Sequence, residues 1–63
     1  MSNWVQNKYG KMIHFATALT EMDETICDEL NFALGYCEPQ EFFNEYCAMH
    51  EAKYGEEFEL QAA

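Results

Sequence analysis

The residues of this chain best suited to do chemistry are carboxylates in helical register. Glu21, Glu24 and Asp28 recur at intervals of three and four, and so do Glu38, Glu41 and Glu45. On an α-helix each set forms one ridge, with neighbouring side chains about 5–6 Å apart. Glu56, Glu57 and Glu59 extend the second set past its end. Like charges at such spacings cost an isolated helix about 0.2–0.5 kcal/mol per pair, and neither ridge contains a compensating Lys or Arg. Rows of this kind resemble the charge line of a nucleic-acid backbone, which places one phosphate per ~3.4 Å of axis along each strand. A folded domain that carries them can occupy a Lys/Arg groove meant for DNA or RNA. The plainer reading is an acidic surface that only keeps the protein solvated, although mixed signs would do that better.

Other chemistries fit less well. Asp23, Glu24, Asp28 and Glu29 lack the alternating ligand spacing and central Gly of an EF-hand loop. Cys47 and His50 lie one helical turn apart and, with Cys27 and Cys37, make a three-Cys, one-His set that zinc could use. The paired C-x₂-C knuckle is missing, however, and successive cysteines are ten residues apart. Cys47 at the middle of a helix face has no evident base or orienting group, which argues against a Cys/His hydrolase. No catalytic residue, metal or cofactor is expected.

The charge that these carboxylates create is lopsided. Twelve Asp and Glu face three Lys on 63 residues, for a formal charge of −9. Residues 1–20 hold no acid, only Lys8 and Lys11, whereas residues 21–59 hold all twelve acids and one base, Lys53. Such a field repels nucleic acid and anionic membranes and attracts cationic surfaces. Direct nucleic-acid and membrane binding are therefore not expected, and a nucleic-acid-binding protein is the natural partner. No apolar run approaches the ~20 residues of a membrane span, and the N-terminus has no signal-peptide core, so a cytoplasmic protein is expected. An odd number of cysteines suits small buried hydrophobes in a reducing compartment.

Three helices must position the ridges, in a single acidic domain spanning 1–63. The clearest runs from Pro39 to Tyr54, with Pro39 at its start, Glu38, Gln40 and Glu41 beside its N-terminus, Lys53 in its last turn and Gly55 as its C-cap. Phe43, Tyr46, Cys47, His50 and Tyr54 form its apolar face, flanked by Phe42 and Met49. A second helix is expected from Glu21 to Leu34, with Thr20 and Asp23 as a capping-box-like start and Gly35 closing it. Met22, Ile26, Leu30, Ala33 and Leu34 are its stripe. Over residues 1–20, Val5, Tyr9, Met12, Ala16 and Leu19 follow a helical period that Gly10 can break or kink. The alternation of Ile13, Phe15, Thr17 and Leu19 also permits a short strand. The fold class read from these patterns is all-α, a compact three-helix bundle, with Phe58 and Leu60 folding back over the core.

Ten aromatics are ample for a core of this size. Trp4, Tyr36, Phe42 and Phe58 fall off the stripes or at their rims, where aromatics anchor partners. This allows a homodimer, and it supports a rival function: a small helical interaction module, antitoxin-like or an assembly subunit, that binds through aromatics while its acids only solubilise.

In length, acidic excess and the two ridges on an aromatic-rich body, the chain resembles small phage-encoded inhibitors of host defence, the acidic anti-CRISPR and anti-restriction nucleic-acid mimics. The resemblance implies a non-enzymatic inhibitor that occupies the DNA- or RNA-binding groove of a nuclease or CRISPR surveillance complex in the host cytoplasm. The contacts it implies are Glu21, Glu24, Asp28, Glu38, Glu41, Glu45, Glu56 and Glu57, with Phe42 as an aromatic anchor. The basic first twenty residues depart from an all-round mimic and limit the imitation to one face.

Overall fold

The structure, a computed structural model, describes residues 3–35 and 37–60. The chain opens with two short strands, β1 (Trp4–Gln6) and β2 (Met12–His14), followed by α1 (Phe15–Glu21), α2 (Glu24–Leu34) and α3 (Pro39–Tyr54). The strands pair antiparallel with Trp4 opposite His14, Val5 opposite Ile13 and Gln6 opposite Met12. The expected all-α bundle is thus corrected: the fold is mostly helical, with a small hairpin where a first long helix was expected.

Asn7 explains why the hairpin wins. Its side-chain Oδ1 accepts from the backbone N–H groups of Tyr9 and Lys11, both at 2.9 Å. Its own backbone exchanges bonds with Gly10 and Lys11 at 3.0 Å. Gly10 adopts φ +84°, the left-handed conformation that closes a three-residue hairpin loop. An Asx turn ending in such a glycine competes with helix at the point where helix is weakest. Across the pair Val5 turns fully inward while Trp4 and Gln6 face out, the two-residue alternation of a one-sided strand.

The first of the three expected helices is therefore only the short α1, anchored by the Phe15 N–H to the Asn3 carbonyl at 2.7 Å and burying Ala18. The second begins three residues later than the capping-box pattern implies. Met22 and Asp23 are extended, and Asp23 is the N-cap, its carboxylate accepting from Thr25 and Ile26 N–H groups at 2.8 and 3.2 Å. A hydrogen bond from outside the helix fixes this position: the Asp23 N–H donates to the Tyr46 hydroxyl at 2.6 Å. α3 has the bounds that Pro39 and Gly55 imply, and Gly55 caps it in the left-handed conformation.

The core is a single cluster of Val5, Ala18, Met22, Ile26, Leu30, Phe42, Phe43 and Tyr46. α3 lies at its centre, packed against α2 and against β1. Phe42 meets Phe15 edge-on at 5.9 Å on one side, and Phe43 and Tyr46 meet Phe58 on the other. Phe58 and Leu60 do fold back onto the core. Gln40 ties the two halves together. Its side-chain amide accepts from the Gln6 N–H at 2.8 Å and donates to the Gln6 carbonyl at 2.9 Å, as a neighbouring strand would.

Candidate partner-binding surface

The carboxylates predicted to form two ridges fall into three groups. Glu41 and Glu45 lie one turn apart on α3, with Glu38 exposed at its N-cap, so the second ridge survives. The first does not. Glu21 ends α1, and the extended residues Met22 and Asp23 separate it from Glu24 and Asp28 on α2, so the three carboxylates do not share one helical ridge. Glu21 instead lines a shallow pocket of about 590 Å³ with Glu56, Glu57, Glu59, His50 and Phe58. The chain brings these four acids together from its middle and its end, which no local spacing announces.

The distribution of cations decides which acids are free to act outward. Lys8 pairs with Glu57, and Lys53 lies 3.7 Å from Asp23. Glu57 also accepts from the Tyr9 hydroxyl at 2.9 Å. The Lys8 hydrogen bond, and then that of Tyr9, hold its carboxyl below the usual carboxylate range, and Glu57 raises both partners in turn. Asp23 is likewise lowered, first by the hydroxyl of Tyr54 and then by its capping bonds and Lys53. Asp23 and Glu57 are therefore engaged inside the chain. Glu24, Asp28, Glu38, Glu41, Glu45 and Glu56 are exposed and, among the described residues, have no ion-pair partner. These six are the part of the predicted contact set that is not engaged by a lysine of the chain itself.

The opposite character belongs to the hairpin. Lys8 and Lys11 line a cleft of about 760 Å³ between the hairpin, α3 and the C-terminal segment, where Glu51, Glu57 and Glu59 face them beside Gln40 and Asn44. Both lysines of the first twenty residues therefore stand at this cleft, with the amides of Gln40 and Asn44 on its α3 wall.

The predicted aromatic anchors are redistributed. Phe42 is only 7% exposed and cannot serve as a surface contact; it is core, as is Tyr46, which the stripe already placed inward. A helix packed against the hairpin on one side and α2 and Phe58 on the other buries a face wider than a single stripe, and Phe42 falls within it. Phe58 is half-buried, Trp4 is 51% exposed with its ring edge-on to His14, and Tyr36 lies outside the described residues. The sequence reading did not single out Phe32, which is 95% exposed on α2. A helical wheel finds it: with Ile26 and Leu30 inward, Phe32 points away from the core, beside Asp28 and Glu29 one turn earlier.

Cys27, Cys37 and Cys47 are free and half-buried. Burial pushes the thiols of Cys27 and Cys47 up, and the acids around Cys27 add to it, so both are held as unreactive thiols. Among the described residues, no group of three or more His, Cys, Asp or Glu is placed to hold a metal ion. No helix there is long and apolar enough to cross a membrane.

No curated protein matches the chain. The profile of the family described as Anti-CRISPR protein AcrIC5 does, over residues 6–58, from the end of β1 through α3 to Phe58. A match that takes in β2, every helix and the folded-back segment covers the structural unit that displays the free carboxylates. The chain belongs to the anti-CRISPR protein AcrIC5 family, phage inhibitors of the CRISPR–Cas defence.

Proposed function

We propose that this anti-CRISPR protein inhibits without catalysis, by docking its acidic surface in a Lys/Arg groove of a CRISPR–Cas surveillance complex or nuclease and keeping nucleic acid out. One observation carries the reading. Among the described residues, Glu24, Asp28, Glu38, Glu41, Glu45 and Glu56 are exposed and have no ion-pair partner, while the lysines that do form ion pairs engage Asp23 and Glu57. Surface carboxylates kept apart from available cations hold repulsive energy in the free protein, and a cationic partner relieves it. Glu41 and Glu45 are separated by ~6 Å along the helix axis, at a rise of 1.5 Å per residue. That is looser than the phosphates of one strand but close enough to engage successive basic side chains.

Binding of this kind is steered by charge, so it is fast at low salt and weakens as salt rises. Affinity for the purified CRISPR–Cas complex, measured by titration calorimetry at 50 and 200 mM salt, is expected to drop about tenfold or more. Less than about a twofold change would mean that the acids only solvate the protein and that contacts of another kind hold the complex.

A further inference from the structure

Phe32 is the most exposed large hydrophobic side chain among the described residues, and no packing need places it there. Tyr9, the next most exposed at 72%, is held by its hydroxyl to Glu57, and the Trp4 ring is packed on His14. Phe32 has no ring partner among the described aromatics. Its neighbours across one helical turn are Asp28 and Glu29, both exposed. The ring therefore projects from between two carboxylates about 5–6 Å away.

We infer that Phe32 is the anchor of the acidic face, and that it enters an apolar slot at the floor of the partner's basic groove, of the kind that stacks an unpaired base. Charge complementarity selects this occupant. Any surface that receives the ring must also receive Asp28 and Glu29, so its rim must carry Lys or Arg. Grooves that hold single-stranded nucleic acid combine those features, with basic walls that track the backbone and flat side chains on which bases stack. Cations on the rim would also lie against the ring face. The inference rests on the acidic face being the docking face, and it divides the labour within that face. The carboxylates set the rate of encounter, and the aromatic ring sets the lifetime, as buried aromatic anchors do elsewhere.

The test is binding kinetics on immobilised CRISPR–Cas complex, with the wild-type chain, Phe32→Ala, Phe32→Trp and Trp4→Ala, each at two salt concentrations. Phe32→Ala is expected to raise the dissociation rate about 10–100-fold, with the association rate and its salt dependence unchanged. Phe32→Trp should restore a slow dissociation, and Trp4→Ala should leave the kinetics as they are. A melting curve of Phe32→Ala that overlays the wild type shows that the loss is one of contact. Unaltered dissociation of Phe32→Ala, with strong salt dependence retained, overturns the anchor and leaves the acidic docking reading standing. Salt-independent binding that still loses its lifetime on Phe32→Ala overturns the basic rim. A dimer in sedimentation velocity that Phe32→Ala dissolves, with partner kinetics unaffected, assigns the ring to a second copy and also overturns the inference.

Discussion

Replacing Glu38, Glu41 and Glu45 together by lysine is expected to abolish binding to the CRISPR–Cas partner while leaving the fold intact. Each Glu→Lys change adds two charges, so the triple variant moves the chain from −9 to −3. More important than the total is its placement, because one α3 ridge changes sign and meets a cationic groove with like charge. Loss of steering alone lowers association by about 10–1,000-fold, and like charges pressed together across an interface cost several kcal/mol more. The same substitutions threaten the fold little. All three side chains are exposed and unpaired among the described residues, and such surface changes usually alter stability by less than about 0.5 kcal/mol each. Glu38 and Glu41 sit at the N-terminus of α3, where lysine opposes the helix dipole by a few tenths of a kcal/mol, and relief of self-repulsion offsets part of that. Circular dichroism melts and a binding titration read the two effects separately. Wild-type affinity in a folded triple variant would remove the α3 ridge from the interface.

The largest effect on the fold itself is expected at Tyr46. It is 0% exposed, its ring packs edge-on against Phe58 at 4.9 Å and beside His50, and its hydroxyl accepts from the Asp23 N–H. Burial of the ring pushes the hydroxyl's pKa up, so it remains a neutral phenol throughout the physiological range. Tyr46→Ala removes a large buried ring at a cost of about 3–5 kcal/mol. A chain of this length has only about 3–9 kcal/mol of stability in total, at 0.05–0.15 kcal/mol per residue. Tyr46→Ala is therefore expected to leave little folded protein. Tyr46→Phe separates packing from polarity: it keeps the ring and removes only the acceptor for Asp23. Loss of that one bond costs about 1 kcal/mol, which lowers the Tm by about 4–8 °C in a domain of this size. A Tyr46→Phe melt identical to the wild type would show that the Asp23 N–H finds water instead. Function follows through position, because this hydrogen bond sets where α2 begins and hence where Glu24 and Asp28 point.

The same hydrogen bond marks where the sequence stops being sufficient. α3 is legible because both its ends are written locally, Pro39 at the start and Gly55 at the left-handed close. α2 is legible in its interior, where Ile26 and Leu30 face the core, but its start is chosen by Tyr46, 23 residues away. Thr20 and Asp23 satisfy a capping pattern without forming it. The hairpin is carried by the side chain of Asn7, whose two hydrogen bonds to the backbone outweigh a helical periodicity that Val5, Tyr9 and Met12 share by coincidence. Alternation at Ile13 does carry the strand, over a shorter stretch than the pattern suggests.

At the candidate surface, the excess of acids is a compositional fact and needs no fold to be read. The gathering of Glu21 with Glu56, Glu57 and Glu59 depends on the folded-back segment, and the engagement of Glu57 depends on Lys8 and Tyr9 from the hairpin loop. Phe42 looks like a rim residue because a single stripe describes only one side of a helix that is packed on two. Phe32 escapes notice for the converse reason. In a small aromatic-rich chain every Phe looks needed for the core, and only its position relative to Ile26 and Leu30 shows that this one is not.

Mutual exclusion separates groove occupation from any other mode of inhibition. Labelled target nucleic acid is titrated into the purified CRISPR–Cas complex at several fixed concentrations of this protein, with fluorescence anisotropy as the readout. Groove occupation predicts that the apparent Kd for nucleic acid rises in proportion to inhibitor concentration without a plateau, and that no ternary species forms. A plateau, or a stable complex holding nucleic acid and this protein together, would place the inhibitor elsewhere on its partner and contradict mimicry.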